Sequence, residues 1–205
     1  MIRLPEDIRA RLDAAAPSGV DYESTTSPHG AVTAWCGLAN REELPSVGRL
    51  LLQLGARLAM VSALQPPAPE AEEDEAPAEG DEAAAKPEKQ PAMTFGGTPL
   101  DGASYEVDYH FVLGGDFLTV IAYAPAGGSI PSLTPLFRSA DWPEREIMEN
   151  YSLVIRDHPD PRRLFLDPSI DAAALERLIP FSTLVNAAST QSLWDKVLAA
   201  KGGAS

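Results

Sequence analysis

One short stretch holds most of the side chains able to do directed chemistry. Asp141, Trp142, Glu144, Arg145, Glu146 and Glu149 come first, and His158, Asp160, Arg162 and Arg163 follow. Glu144 and Glu146 invite an acid–base reading, but residues two apart on a helix point to different faces. A helix over Asp141 to Tyr151 gives them separate tasks. Asp141 fits its cap, Pro143 its first turn, and Glu144, three after Asp141, the reciprocal position of a capping box. Glu146 is left for an ion pair or an interface contact. Arg145 and Glu149 stand four apart, the spacing of a surface pair; Glu146 and Asn150 share another face, and Ile147 and Tyr151 form the apolar stripe. Trp142 reads as a packing anchor at the helix start.

Downstream, Pro159 and Pro161 force Asp157 to Pro161 to be extended or turned. His158 has the chemistry of a base or a metal ligand. No second histidine is near it in sequence, so an orienting hydrogen bond is the reading favoured. Arg162 and Arg163 carry guanidinium forks that match carboxylates two bonds at a time. A partner's acidic groups are a better target for them than a phosphate. A stiff, charge-rich loop after a helix is what a polar protein–protein contact requires.

Composition removes other classes. The formal net charge of −14 argues against nucleic-acid binding, which needs clustered Lys and Arg. The single cysteine, Cys36, closes no intrachain disulfide and holds neither an iron–sulfur cluster nor a Cys-based zinc site. His29, His110 and His158 lie far apart, so no metal held by this chain is expected. The N-terminal MIRLPEDIRARL lacks the apolar region of a signal peptide, and no run approaches the roughly 18 apolar residues that span a bilayer. Membrane contact is expected only through partners.

The elements that must position the charged stretch are legible in part. Pro5 to Ala16 reads as a helix, Ala31 to Cys36 as a short strand, Pro45 to Leu54 as a helix and Arg57 to Leu64 as a buried strand. Residues 65–92 hold nine acids against two lysines, half of the chain's net charge, and no aromatic or β-branched residue. Such a segment cannot bury enough apolar area to offset its ordering entropy, so it reads as a disordered insertion. Tyr105 to Leu113 and Phe117 to Tyr123 flank Gly114-Gly115, a strong hairpin signal, with Tyr105, Val107, Tyr109 and Phe111 facing one way. Neither that pair nor Gly96-Gly97 has the spacing of a nucleotide loop. Pro125 to Gly128 is a loop, and Ser132 to Ser139 reads as a short helix. Asp171 to Ile179 and Ser192 to Ala200 read as two more helices, the last with Leu193, Trp194, Val197 and Leu198 on a stripe.

The predicted fold class is α+β: a small mixed or antiparallel sheet with helices packed on one side, carrying a disordered acidic insertion. The expected organisation is an N-terminal α/β part (1–64), the insertion (65–92), a core of hairpin, helix and loop (93–168), and a helical tail (169–205).

Within that core the sequence resembles a known family. Pro131-Ser132-Leu133, Ala140-Asp141-Trp142, Glu144-Arg145-Glu146, Glu149, His158-Pro159-Asp160 and Arg162-Arg163-Leu164 follow a family pattern in register. The pattern is that of the C-type subunit of proton-pumping NADH:quinone oxidoreductase (respiratory complex I), and of related subunits of energy-converting membrane-bound hydrogenases. The resemblance covers roughly residues 45–64 and 100–168. The chain departs from the pattern at Asn150-Tyr151-Ser152-Leu153, which lacks the usual aromatic–glycine pair, and at Asp157, where a glycine usually precedes the histidine. The resemblance implies a scaffold subunit of the peripheral arm, on the cytoplasmic face of the membrane. Such a subunit bears no cofactor and packs on a large, hydrogenase-like catalytic subunit and an iron–sulfur small subunit. Those partners would carry the iron–sulfur clusters, and any nickel–iron or quinone site. The ten charged and aromatic residues named at the outset would then be interface residues. Two other readings stand beside it: an adaptor whose acidic segment recruits a basic partner, and a small stand-alone enzyme using Glu146, His158 and Arg162.

Overall fold

A computed structural model describes residues 3–67, 92–151, 153–167 and 169. The chain divides into a unit ending at Phe165 and a second beginning at Leu166. The architecture below is that of the first. The helices expected at Asp171 to Ile179 and Ser192 to Ala200, and nearly all of the acidic insertion, lie outside the described residues.

The fold is α+β. Five strands form a mixed sheet in the order β1 (Val20–Thr26), β2 (Val32–Leu38), β7 (Asp116–Ala124), β6 (Tyr105–Leu113), β3 (Arg57–Leu64). All pairs are antiparallel except β2 with β7. Short pairs β4–β5 (Ala92–Met93, Pro99–Leu100) and β8–β9 (Ser129–Pro131, Val154–Arg156) stand apart from it. The β6–β7 hairpin forms as its alternation predicts, with Leu113 opposite Asp116. Gly114 and Gly115 both have positive φ, 54° and 106°, which a two-residue turn matched to strand twist requires.

Period-two alternation gives the sheet two faces. Tyr105, Val107, Tyr109, Phe111 and Leu113 of β6 join Leu118, Val120 and Ala122 of β7 and Ala34, Cys36 and Leu38 of β2 on the inner face, all buried. Against it pack α1 (Ile8–Ala15), through Ile8 and Leu12, and α2 (Leu44–Gln53), through Leu44, Val47 and Leu51. Burial pushes the Cys36 thiol up to about 12, with Asp13 and Asp21 adding to it, so this cysteine is a core residue.

Several local expectations need correction. Helix α1 starts at Ile8, and Pro5 belongs to the preceding turn, where its carbonyl accepts from the Ile8 N–H. Strand β1 is additional to the predicted elements; its VDYESTT is too polar to announce itself. Strand β3 is an edge strand with Arg57, Ala59, Met60 and Leu64 exposed, not a buried one. Ser132 to Ser139 forms no α-helix: the segment leaves β8, turns, and tightens into one 3₁₀ turn at Arg138–Ala140. Leu133 and Leu136 lie directly over Gly48 of α2, where an added Cβ would sit 2.9 Å from Leu133 Cδ2. That glycine lets the Pro-Ser-Leu run close onto the helix layer.

Candidate functional site: a charge-locked corner

Helix α3 (Asp141–Asn150) is the centre of the site, and both its flanks are fixed to the edge strand β3. Ahead of it, Ser139 Oγ donates to the Leu58 carbonyl at 2.9 Å; behind it, the Tyr151 hydroxyl donates to the Ala63 carbonyl at 3.2 Å. Twelve residues at helical rise and five at strand rise both span roughly 17 Å, so the two bonds fit one parallel alignment. Ile147 is buried beneath, and the Tyr151 ring meets Tyr105 edge-on at 5.3 Å.

Glu144 does not cap this helix, and neither does the Asp141 side chain; Asp141 already has helical dihedrals. Instead Glu144 is wholly buried and accepts from the segment 10 to 12 residues upstream. Oε2 takes the Ser132 hydroxyl at 2.5 Å and the Thr134 hydroxyl at 2.8 Å. Oε1 takes the Leu133 N–H at 2.7 Å and, at a longer 3.5 Å, the Tyr109 hydroxyl. Every partner is a donor, which suits a carboxylate with both oxygens accepting. Burial, then the neighbouring Glu144, raises the Tyr109 phenol well above its ordinary value, so it stays a donor.

Arg145 and Glu149 both reach the returning loop. Arg145 Nε and Nη2 donate to the carbonyls of Arg162 and Arg163 at 2.9 and 2.8 Å. Glu149 Oε2 accepts from the N–H groups of Leu164 and Phe165 at 2.9 and 2.8 Å. Residues 162–165 are thereby clamped through their backbone. Arg145 also lies 3.6 Å from Asp160, which takes a two-bond fork from Arg162 at 2.6 Å on each oxygen. The Arg162 fork, helped by the Arg162 N–H and the charge of Arg145, holds the Asp160 carboxyl well below the usual range.

His158 has its side chain fully buried. Its Nδ1 accepts from the Asp160 N–H at 3.0 Å, which leaves the proton on Nε2. Nε2 points at the Asp141 carbonyl, 3.3 Å away, with Asp141 Oδ1 at 3.7 Å and Glu144 Oε2 at 3.8 Å. Among the described residues no hydrogen bond or ion pair joins Glu146 to His158.

The ten residues thus divide. Glu144 and His158 lie inside; Arg145, Glu149 and Asp160 tie helix to loop; Asp141 and Arg163 are half-buried. Glu146, Arg162 and Trp142 face outward. Trp142, expected to anchor the helix start, is 66% exposed, because Ile147 and Tyr151 supply the inward stripe without it. Sequence reasoning misses Ser132, Thr134 and Tyr109 as partners of Glu144. Their signal is the small polar pair flanking Leu133, which a helical reading of that segment hides.

Comparison with known proteins meets this same region. Residues 84–183 match the family model of the respiratory-chain NADH dehydrogenase 30 kDa subunit. The NADH-quinone oxidoreductase C-type subunit of Rhodopseudomonas palustris is 34% identical over 95 residues, 45% of this chain and 47% of that protein. The mitochondrial NADH-ubiquinone oxidoreductase 30.4 kDa subunit of Neurospora crassa is 31% identical over 86 residues, 41% and 30% of the two chains. The C/D-type NADH-quinone oxidoreductase subunit of Photorhabdus laumondii is 32% identical over 84 residues, 40% and 14%. The chain therefore spans less than half the length of these relatives, and none of the three is named a hydrogenase subunit. The segment that builds the corner is thus similar to the 30 kDa (C-type) subunits of respiratory complex I.

Proposed function

We propose that this chain is a non-catalytic scaffold subunit of the peripheral arm of an NADH:quinone oxidoreductase. It would hold a large catalytic subunit and an iron–sulfur subunit in register on the cytoplasmic side of the membrane. It would bind no cofactor itself, the iron–sulfur clusters and the quinone site belonging to its partners. The observation that carries this reading is the division of labour at the corner. Glu144, Arg145, Glu149, His158 and Asp160 are consumed in fixing helix and loop, and what that frame presents is Trp142, Glu146 and Arg162. An exposed aromatic flanked by an acid and an arginine has the composition of an interface hot spot. Among the described residues no helix is long and apolar enough to cross a membrane, which suits attachment through partners.

The test is co-purification of the assembly from cells expressing Trp142→Ala or Glu146→Lys. Both positions are exposed, so the free variants keep the parent's circular dichroism and unfolding midpoint. Partner stoichiometry falls several-fold, as loss of a hot spot worth about 2 kcal/mol requires. Variants that fold normally and recover partners at full stoichiometry overturn the scaffold assignment at this corner.

A further inference from the structure

The face of the sheet opposite the helices is built differently. The strand register lays its side chains out in rows. One row runs Asp21, Gly37, Ile121, Asp108, Ser62 across all five strands; the next runs Glu23, Trp35, Thr119, His110, Met60. Glu106 and Tyr123 face each other one step further along. Trp35, Phe117, Met60 and Leu64 on this side are exposed, so no described element covers it.

Asp108 is the anomaly. It is only 9% exposed, and its Oδ1, fully enclosed, has no hydrogen-bond partner. The polar side chains that surround it bond to one another and not to it. The Ser62 hydroxyl, opposite in register, is bonded to His110 Nε2 at 3.0 Å, and Thr119 Oγ1 holds the other ring nitrogen at 3.0 Å. The Tyr123 hydroxyl is bonded to Glu106. Burial lifts the Asp108 carboxyl to about 6, with the Glu106 charge adding to it, so no favourable charge compensates the desolvation. Asp21, Glu23, Glu106 and Asp108 make the face acidic. The sheet's one Lys or Arg is Arg57, opposite Val112. Val112 is four strand residues from Asp108, about 13 Å. Among the described residues no group of three His, Cys, Asp or Glu side chains is placed to hold a metal ion.

We propose that this outer sheet face is a second docking surface, taking a segment of a partner protein that sets a lysine or arginine on Asp108 and an apolar flank on Trp35, Ile121 and Met60. A cation there satisfies the orphaned oxygen and offsets the like charges, while the exposed aromatic and thioether side chains lose their water. A second copy of this chain is disfavoured, since two acidic faces would oppose each other. The inference rests on the chain's being a subunit of an assembly, but it concerns the outer face of the sheet and not the helix-and-loop corner.

The experiment places a photo-crosslinking phenylalanine analogue at Met60 in one full-length chain and at Trp142 in another. Each is expressed in cells that build the assembly, and linked peptides are read by mass spectrometry. The Met60 probe is expected to capture a partner-subunit peptide carrying Lys or Arg. Affinity for that synthetic peptide falls at least about tenfold in Asp108→Asn, as for a truncated buried charge pair. Asp108→Lys abolishes the capture, and reversing the peptide's cation to Glu restores it. A Trp142 probe that links partners while the Met60 probe links none overturns this inference alone; silence at both positions overturns the scaffold reading as well. Capture of a second copy, of a peptide without a cation, or of one whose affinity ignores Asp108→Asn also overturns it.

Discussion

Replacing Glu144 by alanine removes the acceptor on which the Pro-Ser-Leu segment is hung. Three of its four hydrogen bonds lie between 2.5 and 2.8 Å, and the carboxylate is wholly buried. A hydrogen bond to a charged group contributes about 1.5–3 kcal/mol, so the three amount to roughly 4.5–9 kcal/mol before the cost of burying the charge. Desolvation of a carboxylate takes back several kcal/mol, and breaking a buried charged network by removing one partner costs about 3–5 kcal/mol. Alanine also leaves the Leu133 N–H without an acceptor and a cavity beside Ile147, neither of which lowers that figure. With a urea dependence of about 2 kcal/mol per molar, the unfolding midpoint falls by about 1.5–2.5 M. Glu144→Gln is the control. Its carbonyl oxygen keeps the Leu133 N–H, and its amide faces Ser132 and Thr134, whose hydroxyls rotate to accept. Glutamine therefore costs about 1–2 kcal/mol, the difference between a charged and a neutral acceptor. Urea titration followed by tryptophan fluorescence measures both. Equal costs for alanine and glutamine, or an alanine variant within about 1 kcal/mol of the parent, refute the assignment of Glu144 as the acceptor that organises the corner.

Two further outcomes follow from the same geometry. Arg145→Gln cannot reproduce the fork on the Arg162 and Arg163 carbonyls, and loss of about 1.4 kcal/mol of local stability makes the loop roughly ten times more often open. Trypsin cleavage after Arg162 and Arg163 accelerates accordingly, with the global midpoint little changed; an unaltered rate contradicts the clamp. Asp108, lifted to about 6, binds its proton more tightly folded than unfolded, so stability falls as pH rises from about 4 to 6. Asp108→Asn abolishes that dependence and is the more stable protein at pH 7. A midpoint difference between parent and Asp108→Asn that stays constant or shifts toward the parent from pH 4 to 6 refutes the burial of an unpaired carboxyl.

What the sequence made legible was governed by local rules. The β6–β7 hairpin was visible because alternation and a glycine pair agree, and α2 because its apolar residues recur at helical spacing. Strand β1 was not, because half of an edge strand faces water and its polar residues carry no period. The parallel pairing of β2 with β7 joins segments more than 80 residues apart and leaves no mark in either. At the site, spacing misled in an instructive way. Glu144 three after Asp141 satisfies the capping rule, yet the Ser132 and Thr134 hydroxyls and the Leu133 N–H compete for the same carboxylate and win. Arg145 and Glu149, spaced to meet each other, are drawn to backbone groups of a loop whose path no local pattern encodes. The family signature marked which residues matter, and only the folded chain sorted those that build the corner from those that face outward.

Asp157 sits in the left-handed backbone region, with φ at 60°. It is also the position where this chain departs from the glycine of the family pattern. A side chain in that conformation is strained by roughly 1 kcal/mol, least so for Asp and Asn. The neighbouring Arg156 guanidinium pairs with Glu42 in the turn that leads into α2, and the Glu42 hydrogen bond and charge, with a smaller contribution from Asp157, favour its charged form. An electrostatic strut thus runs from β9 to the helical layer, one residue before the left-handed bend. Because the bend and the strut fall on consecutive residues, a shift of the loop backbone at Asp157 pulls on the contact that Arg156 makes with the helical layer.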